Sequence, residues 1–132
     1  MLAQNFLSAD TLGLTADQHS ALIKALAHLE SARAFGKFDM NHWCDGKQEC
    51  GTTMCIGGTA EWLHTGKTPG NLFPLSEWRL DYSSNPPLSA LFAPTVGIRC
   101  TDPRRGARAL RNYLQTGDSS WPAVMAIAEE DL

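Results

Sequence analysis

The strongest constraint on the fold is a helix whose two ends are both marked in the sequence, over about 103–116. Asp102 is a preferred N-cap residue, and Pro103 stands at the first helical position, where its missing N–H costs nothing. Gly117 is a natural C-terminal stop. The apolar residues between these marks recur at the spacing of one helix face: Ala107, Leu110 and Leu114. This segment therefore predicts an amphipathic helix with its apolar side in a core.

A second amphipathic helix is predicted from about Ala16 to Ala34. Thr15 and Gln18 have the spacing of a capping box, in which each side chain reaches the other's backbone N–H. Gly36 follows as a stop. The apolar stripe of this helix consists of Leu22, Ile23, Leu26 and Leu29. Ahead of the helix, a short docking segment is expected from three apolar residues: Phe6, Leu7 and Leu12.

The rest of the chain predicts shorter helices. One begins near Met54 and runs to Gly66, with Thr52 or Thr53 as its N-cap. Short helical turns are expected at 75–81 and 88–92, and a last helix follows Trp121-Pro122 through AVMAIAEEDL. No alternating run is long enough for a sheet of several strands, although GIRC (97–100) and CGTTMC (50–55) could pair briefly. The prediction is a mainly α fold. It is a single compact domain over 1–132, with about four to six helices around an irregular, Cys- and Gly-rich loop.

Composition limits the classes of function. The chain has 132 residues, a formal net charge of −3, 43% hydrophobic and 19% charged residues, which is ordinary for one globular domain. The negative charge disfavours nucleic acid or an anionic membrane as partner. No apolar run approaches the ~20 residues that span a bilayer. The first residues lack a basic start and are interrupted by Asn5 and Asp10, so we expect no secretory signal and a cytoplasmic location.

The chemistry-capable side chains are concentrated between Phe38 and Gly66, which hold three of the four cysteines and two of the four tryptophans. The segment has the form F-D-M-x-x-W, then a polar loop, then C-G-T-x-x-C-I-x-G-x-A. It reads here as Phe38-Asp39-Met40, Trp43, Cys50-Gly51-Thr52, Cys55-Ile56-Gly57-Gly58 and Ala60. In this pattern the chain resembles a group of small, uncharacterised bacterial and phage-encoded proteins. The resemblance implies a compact α-rich domain and supplies no activity.

The cysteines allow a metal site, redox chemistry or a purely structural role. Zinc takes four Cys or His ligands, and a site of Cys44, Cys50 and Cys55, completed by His42 or Cys100, is one alternative. The spacings are looser than those of a zinc knuckle, and no C-x-x-C pair exists. If Cys55 starts a helix, its thiolate would be stabilised there, with Cys50 as resolving partner. The third alternative is that Cys50 and Cys55 are buried thiols.

The arginines of the 103–116 helix form a candidate binding face: Arg104, Arg105, Arg108 and Arg111. Cations in a first turn oppose the helix dipole, and an anionic partner would relieve that cost. The alternative is a solvated face with Asp102, Asp118 or Glu77 nearby. Nucleic acid would normally require a basic balance and interleaved aromatic residues, which the sequence does not show.

The sequence thus favours a non-enzymatic module that binds another macromolecule, most naturally a protein. A cysteine-centred zinc protein, or less favourably a thiol-redox protein, is the alternative. Enzymatic activity is the less expected class because no motif brings an acid, a base and a nucleophile to usable spacing. The four tryptophans, Trp121 among them, are interpreted as core anchors with satisfied N–H groups.

Overall fold

The computed structural model describes residues 5–31, 37–38, 53–54, 56, 59–60, 63, 86–92 and 102–132. The α-helices that are described from end to end are α1 (Ala9–Leu12), α2 (Ala16–Glu30), α3 (Pro86–Phe92), α4 (Pro103–Thr116) and α5 (Trp121–Met125). A 3₁₀ helix follows at Glu129–Asp131, and two-residue strands lie at β1 (Lys37–Phe38) and β2 (Thr53–Met54). The mainly α fold predicted from the sequence is confirmed. None of the helices in these ranges is long and apolar enough to cross a bilayer.

Helix α4 has the bounds that its sequence predicts. The Asp102 carboxylate accepts a hydrogen bond from the Arg104 backbone N–H at 2.9 Å, and Pro103 occupies the first helical position. At the other end Gly117 takes the left-handed conformation, with φ of 87°, and its N–H donates to the Tyr113 carbonyl at 2.8 Å. Caps, first-turn proline and terminal glycine are all local signals, so the helix could be located without tertiary information.

Helix α2 begins where the capping box places it and ends earlier than predicted. The Gln18 N–H donates to the Thr15 hydroxyl at 3.1 Å, and the Thr15 N–H donates to the Gln18 side-chain oxygen at 3.0 Å. The helix stops at Glu30 rather than Ala34, because Ser31 has an extended backbone and its N–H turns back to the His28 carbonyl. Serine competes poorly for helix interiors, and here it ends the helix.

The core lies chiefly between α2 and α4, with α1, α3 and α5 packed around them. The predicted apolar face of α4 is confirmed as buried, and Leu22, Leu26 and Leu29 of α2 lie opposite it in the same cluster. The predicted docking segment also holds. Leu12 is buried, and the Leu7 N–H donates to the Leu114 carbonyl at 2.7 Å. The start of the described chain is thereby fixed to the end of α4.

Tyr113 of α4 is fully buried, and its hydroxyl has no hydrogen-bond partner among the residues that the structure describes. Burial raises the pKa of this phenol to about 12, since the charged phenolate is disfavoured away from water. The ring contributes apolar burial to the core. The hydroxyl is a buried polar group without a described hydrogen-bond partner, so it lowers the free energy of unfolding.

The predicted helix near Met54 is present in part, with a later start. Ile56, Thr59, Ala60 and Leu63 are helical, and the first three of them are buried. Their spacing of three, four and seven residues is that of a single helix face turned to the core. Thr53 and Met54 belong to β2, so the helix begins after Met54 and Thr53 is not its N-cap.

The described strand pairing of CGTTMC (50–55) is one that the sequence does not predict. β2 lies within CGTTMC as expected and pairs in parallel with β1, Lys37 opposite Thr53 and Phe38 opposite Met54. The predicted partner, 97–100, lies outside the described residues, as does the helical turn predicted at 75–81. The turn predicted at 88–92 is confirmed as part of α3.

The last predicted helix starts two residues earlier than expected, at Trp121, and is shorter than the sequence suggests. α5 ends at Met125, and a separate 3₁₀ turn follows after Ala128, whose backbone is extended. Trp121 is the core anchor predicted for it: its side chain is buried, and its indole N–H donates to the Leu91 carbonyl at 3.0 Å. The other tryptophans lie outside the described residues.

Candidate functional site: the arginine face of helix α4

The arginine face, defined as Arg104, Arg105, Arg108 and Arg111, lies on the side of α4 away from its buried apolar row. Residues 104, 108 and 111 recur at intervals of four and three, so they follow one another along one side of the helix. Arg104 and Arg108 are exposed, whereas Arg105 and Arg111 are half-buried. The sequence-predicted set is therefore brought together as one surface, and each member has its own contacts.

Arg104 lies between two carboxylates. Its Nε and Nη2 atoms donate to the two Asp102 oxygens at 3.1 and 2.9 Å, and Nη2 also donates to Glu129 at 3.0 Å. Hydrogen bonds from the Arg104 side chain lower the pKa of Asp102, against a partial desolvation that acts in the opposite sense. In return, the bond to Asp102 and then the bond to Glu129 raise the pKa of Arg104. The cation that would oppose the helix dipole is thus neutralised locally.

Arg105 is used as a cap for another helix. Its Nη1 atom donates to the carbonyls of Val124 and Ile127 at 2.9 and 2.8 Å, and more distantly to Met125 at 3.4 Å. The last carbonyls of a helix have no partner within the helix itself. Arg105 supplies one and places its positive charge at the negative end of the α5 dipole. Its role is to fix where α5 stops.

Arg108 is the exposed arginine without a carboxylate partner among the described residues. Its Nη2 atom donates to the main-chain carbonyl of Asp131 at 2.9 Å. A carbonyl accepts a hydrogen bond but does not neutralise a charge. Arg108 therefore carries a full positive charge at the surface, one helical turn from Arg104.

Arg111 connects α4 to α2 and to the start of the described chain. It donates to both carboxylate oxygens of Glu30 at 2.8 to 3.0 Å, and its guanidinium lies 5.8 Å from the centre of the Phe6 ring. The two-pronged contact is the geometry that arginine makes best with a carboxylate, and the ring distance is that of a cation–π contact. The role of Arg111 is therefore structural: it links α4 to α2 and to Phe6.

The face thus has two parts with different capacities. Arg105 and Arg111 hold the fold together, whereas Arg104 and Arg108 present exposed donors that already contact a piece of polypeptide, Glu129–Asp131. The contacts consist of one carboxylate and, two residues later, one main-chain carbonyl. Chemically, this pair of arginines can hold an acidic peptide in a fixed register.

Sequence reasoning found the arginines and Asp102, but not the groups that face them from elsewhere. Glu30 and Glu129 are separated from their arginine partners by 81 and 25 residues, and no local pattern connects them. Glu129, Glu130 and Asp131 are all exposed. A search for acidic residues at helix ends would have offered Glu30, but not its partner.

The alternative metal or redox set lies outside the described residues in full: His42, Cys44, Cys50, Cys55 and Cys100. Within the ranges that the structure describes, no group of three or more His, Cys, Asp or Glu side chains could hold a metal ion. The cysteine-centred site therefore stays a prediction of the sequence.

Comparison with known proteins adds no assignment: no family model, curated protein or solved structure matches the chain. The resemblance of 38–66 to small bacterial and phage proteins stays a prediction.

Proposed function

We propose that this protein is a non-enzymatic module that binds another macromolecule through Arg104 and Arg108 of the arginine face, and that the partner is a protein with an acidic segment. The observation that carries the proposal is the contact of these two exposed side chains with Glu129 and with the Asp131 carbonyl. A surface that holds an acidic stretch of its own chain has the donors and the spacing to hold one from another chain.

A protein partner fits the charges better than nucleic acid does. The chain has a formal net charge of −3, and the carboxylates of Asp102, Glu30 and Glu129 lie directly against the arginines. A continuous phosphate backbone would be repelled by these carboxylates, whereas a short acidic peptide needs only one or two cations. The main-chain carbonyl to which Arg108 donates is likewise a group that any polypeptide offers.

Arg108 is the residue on which binding should depend most. It is exposed and has no carboxylate partner among the described residues, so a carbonyl of the partner can accept its hydrogen bond without an ion pair being broken first. Arginine is also enriched at protein interfaces, where its planar group makes two parallel hydrogen bonds to one carboxylate. Arg104, by contrast, must share its donors with Asp102.

The test compares Arg108→Glu with a matched control, Lys24→Glu. Lys24 is an exposed cation on α2, so the control has the same charge change at a different surface. Macromolecules that bind the wild-type chain in a lysate are identified, purified and titrated directly by calorimetry at two salt concentrations. We expect Arg108→Glu to weaken binding at least tenfold and Lys24→Glu to leave it within about twofold, with affinity falling as salt rises.

Two results would contradict the proposal. One is a purified partner that binds wild type and Arg108→Glu equally well, which would move the interface elsewhere. The other is a purified partner that proves to be a nucleic acid. Circular dichroism and thermal unfolding of each variant establish that the fold is retained, since Arg108 makes one hydrogen bond to a surface segment.

A further inference from the structure

Residues 126–132 follow α5 and cross the arginine face without entering the core. The 3₁₀ helix Glu129–Asp131 has no buried residue and no side-chain cap, and the Glu129 side chain is 76% exposed. What holds this turn against α4 is polar: Glu129 on Arg104 and the Asp131 carbonyl on Arg108. Exposed ion pairs of this kind contribute little to stability, so the contact can be exchanged at small cost.

We infer that Glu129–Asp131 is an internal occupant of the arginine face, and that the partner is an acidic peptide that replaces it. This inference rests on the proposed function and specifies the partner's chemistry. The peptide places a carboxylate on Arg104 and, two residues later, a main-chain carbonyl on Arg108. The same segment sets the affinity, because the partner must compete with a ligand that is always present on the chain.

The geometry allows the turn to leave without unravelling α5. Arg105 is half-buried and holds the carbonyls of Val124 and Ile127, so the chain is anchored up to residue 127. Beyond it, Ala128 has an extended backbone and is exposed, and the hydrogen bonds described from the next residues to α4 are those to Arg104 and Arg108. Residue 128 is therefore the point at which the segment can separate from the helix.

Glu129 and Glu130 provide a matched pair for the test. Both are exposed glutamates in the same turn, yet only Glu129 accepts a hydrogen bond from an arginine of the described face. Glu129→Gln and Glu130→Gln remove the same charge from the same segment. A general electrostatic effect would change both variants equally, whereas occupancy of Arg104 involves Glu129 alone.

The probe is an acetylated synthetic peptide with the sequence of residues 126–132, titrated into ¹⁵N-labelled full chain and followed by NMR. We expect weak binding to wild type, in the millimolar range, with shifts at the side-chain resonances of Arg104 and Arg108. Glu129→Gln should bind the peptide roughly two- to fivefold more tightly, and Glu130→Gln should match wild type. A chain ending at Ala128 should bind about tenfold more tightly than wild type, since the tethered competitor is gone.

Equal affinities of Glu129→Gln and Glu130→Gln would overturn the inference. So would the absence of peptide binding to the shortened chain up to about 10 mM, or shifts that map away from the arginine face. These results would leave the proposed function standing if Arg108→Glu still weakens binding of the purified partner at least tenfold. If instead the peptide binds as expected but the affinity of the purified partner does not depend on Arg108, the proposed function is wrong. Glu129–Asp131 would then be a segment that binds α4 within this chain.

Discussion

Arg111 of α4 donates to both carboxylate oxygens of Glu30, the last residue of α2, at 2.8 to 3.0 Å. The two helices that form most of the core are thus joined at the surface by a two-pronged ion pair. Both side chains are partly exposed, at 32% and 41%, so water and salt weaken their attraction. The pair orients the helices more than it stabilises them.

A double-mutant cycle on Arg111→Ala and Glu30→Ala should therefore give a small coupling energy, about 0.2–1 kcal/mol. The measurement is urea unfolding of the four proteins at low and high salt, and the coupling should shrink as salt rises. Arg111→Lys should lose most of it, because an ammonium cannot make two parallel hydrogen bonds to one carboxylate. A coupling energy well above this range would indicate that water is excluded from the ion pair in solution.

The capping box at the start of α2 predicts a second, independent change. Thr15→Ala removes the acceptor for the Gln18 N–H and should lower the free energy of unfolding by about 1 kcal/mol. Thr15→Ser keeps an acceptor at the same place and should stay near wild type. The denaturation midpoint of each variant checks this, and an equal loss in both would assign the effect to the Thr15 methyl group instead.

Asp102 should make stability depend on acid. Its folded pKa lies below the ordinary 3.8, so its ionised form stabilises the fold above that pH, and the contribution is lost as pH falls further. Asp102→Asn keeps an N-cap acceptor but cannot ionise. The free energy of unfolding of wild type should exceed that of Asp102→Asn near neutral pH, and the gap should close below about pH 3.8. A gap that persists in acid would show that hydrogen bonding alone, without charge, sets the difference.

Tyr113 predicts both a stabilising substitution and an alkaline signature. Tyr113→Phe removes a hydroxyl without a described partner and keeps the ring, so the free energy of unfolding should be unchanged or rise by up to about 1 kcal/mol. Tyr113→Ala should lose about 3–5 kcal/mol, as a large buried side chain does. Chemical unfolding at neutral pH measures both.

The same hydroxyl should destabilise the wild type between about pH 10 and 12. In that window the unfolded phenol ionises and the folded one, with its pKa raised to about 12, does not. Stability therefore falls with pH, by at most about 1.4 kcal/mol per pH unit from this group. The fall should be shallower in Tyr113→Phe, and parallel slopes for the two proteins would contradict the raised pKa.

The cysteine-centred alternative makes a prediction that is independent of the arginine face. If Cys44, Cys50 and Cys55 bind zinc with His42 or Cys100, native mass spectrometry should show one extra zinc, lost on denaturation with all four thiols then free to react. Cys50→Ser and Cys55→Ser should each abolish the bound metal. A bare mass with four free thiols would remove the metal site, and two unreactive thiols would indicate a disulfide.

The sequence predicts a helix end well when the residues that fix this end are close to it in the sequence, and poorly when they are distant. α4 was located to the residue because its cap, proline, glycine and apolar row are all local. The sequence predicts α5 too long because the end of this helix is fixed by Arg105, which donates to the carbonyls of residues about 20 positions away. The arginine face could be predicted from helical spacing. The sequence does not predict which of these arginines hold the fold together and which are exposed donors, because Glu30 and Glu129 come close to the arginine face only in the folded chain.

The pairing of α2 with α4 has a consequence for how the chain is made. Residues 31–102 lie between these helices in the sequence, so the part of the apolar side of α2 that packs against α4 stays uncovered until Leu110 and Leu114 have been synthesised. At about 5–20 residues per second, translation from Glu30 to Leu114 takes roughly 4–17 s. During that interval Leu22, Leu26 and Leu29 of the ribosome-bound chain lack the packing against α4 that the folded protein provides. Nascent chains stalled short of residue 110 should accordingly be the species that chaperones bind and proteases cut.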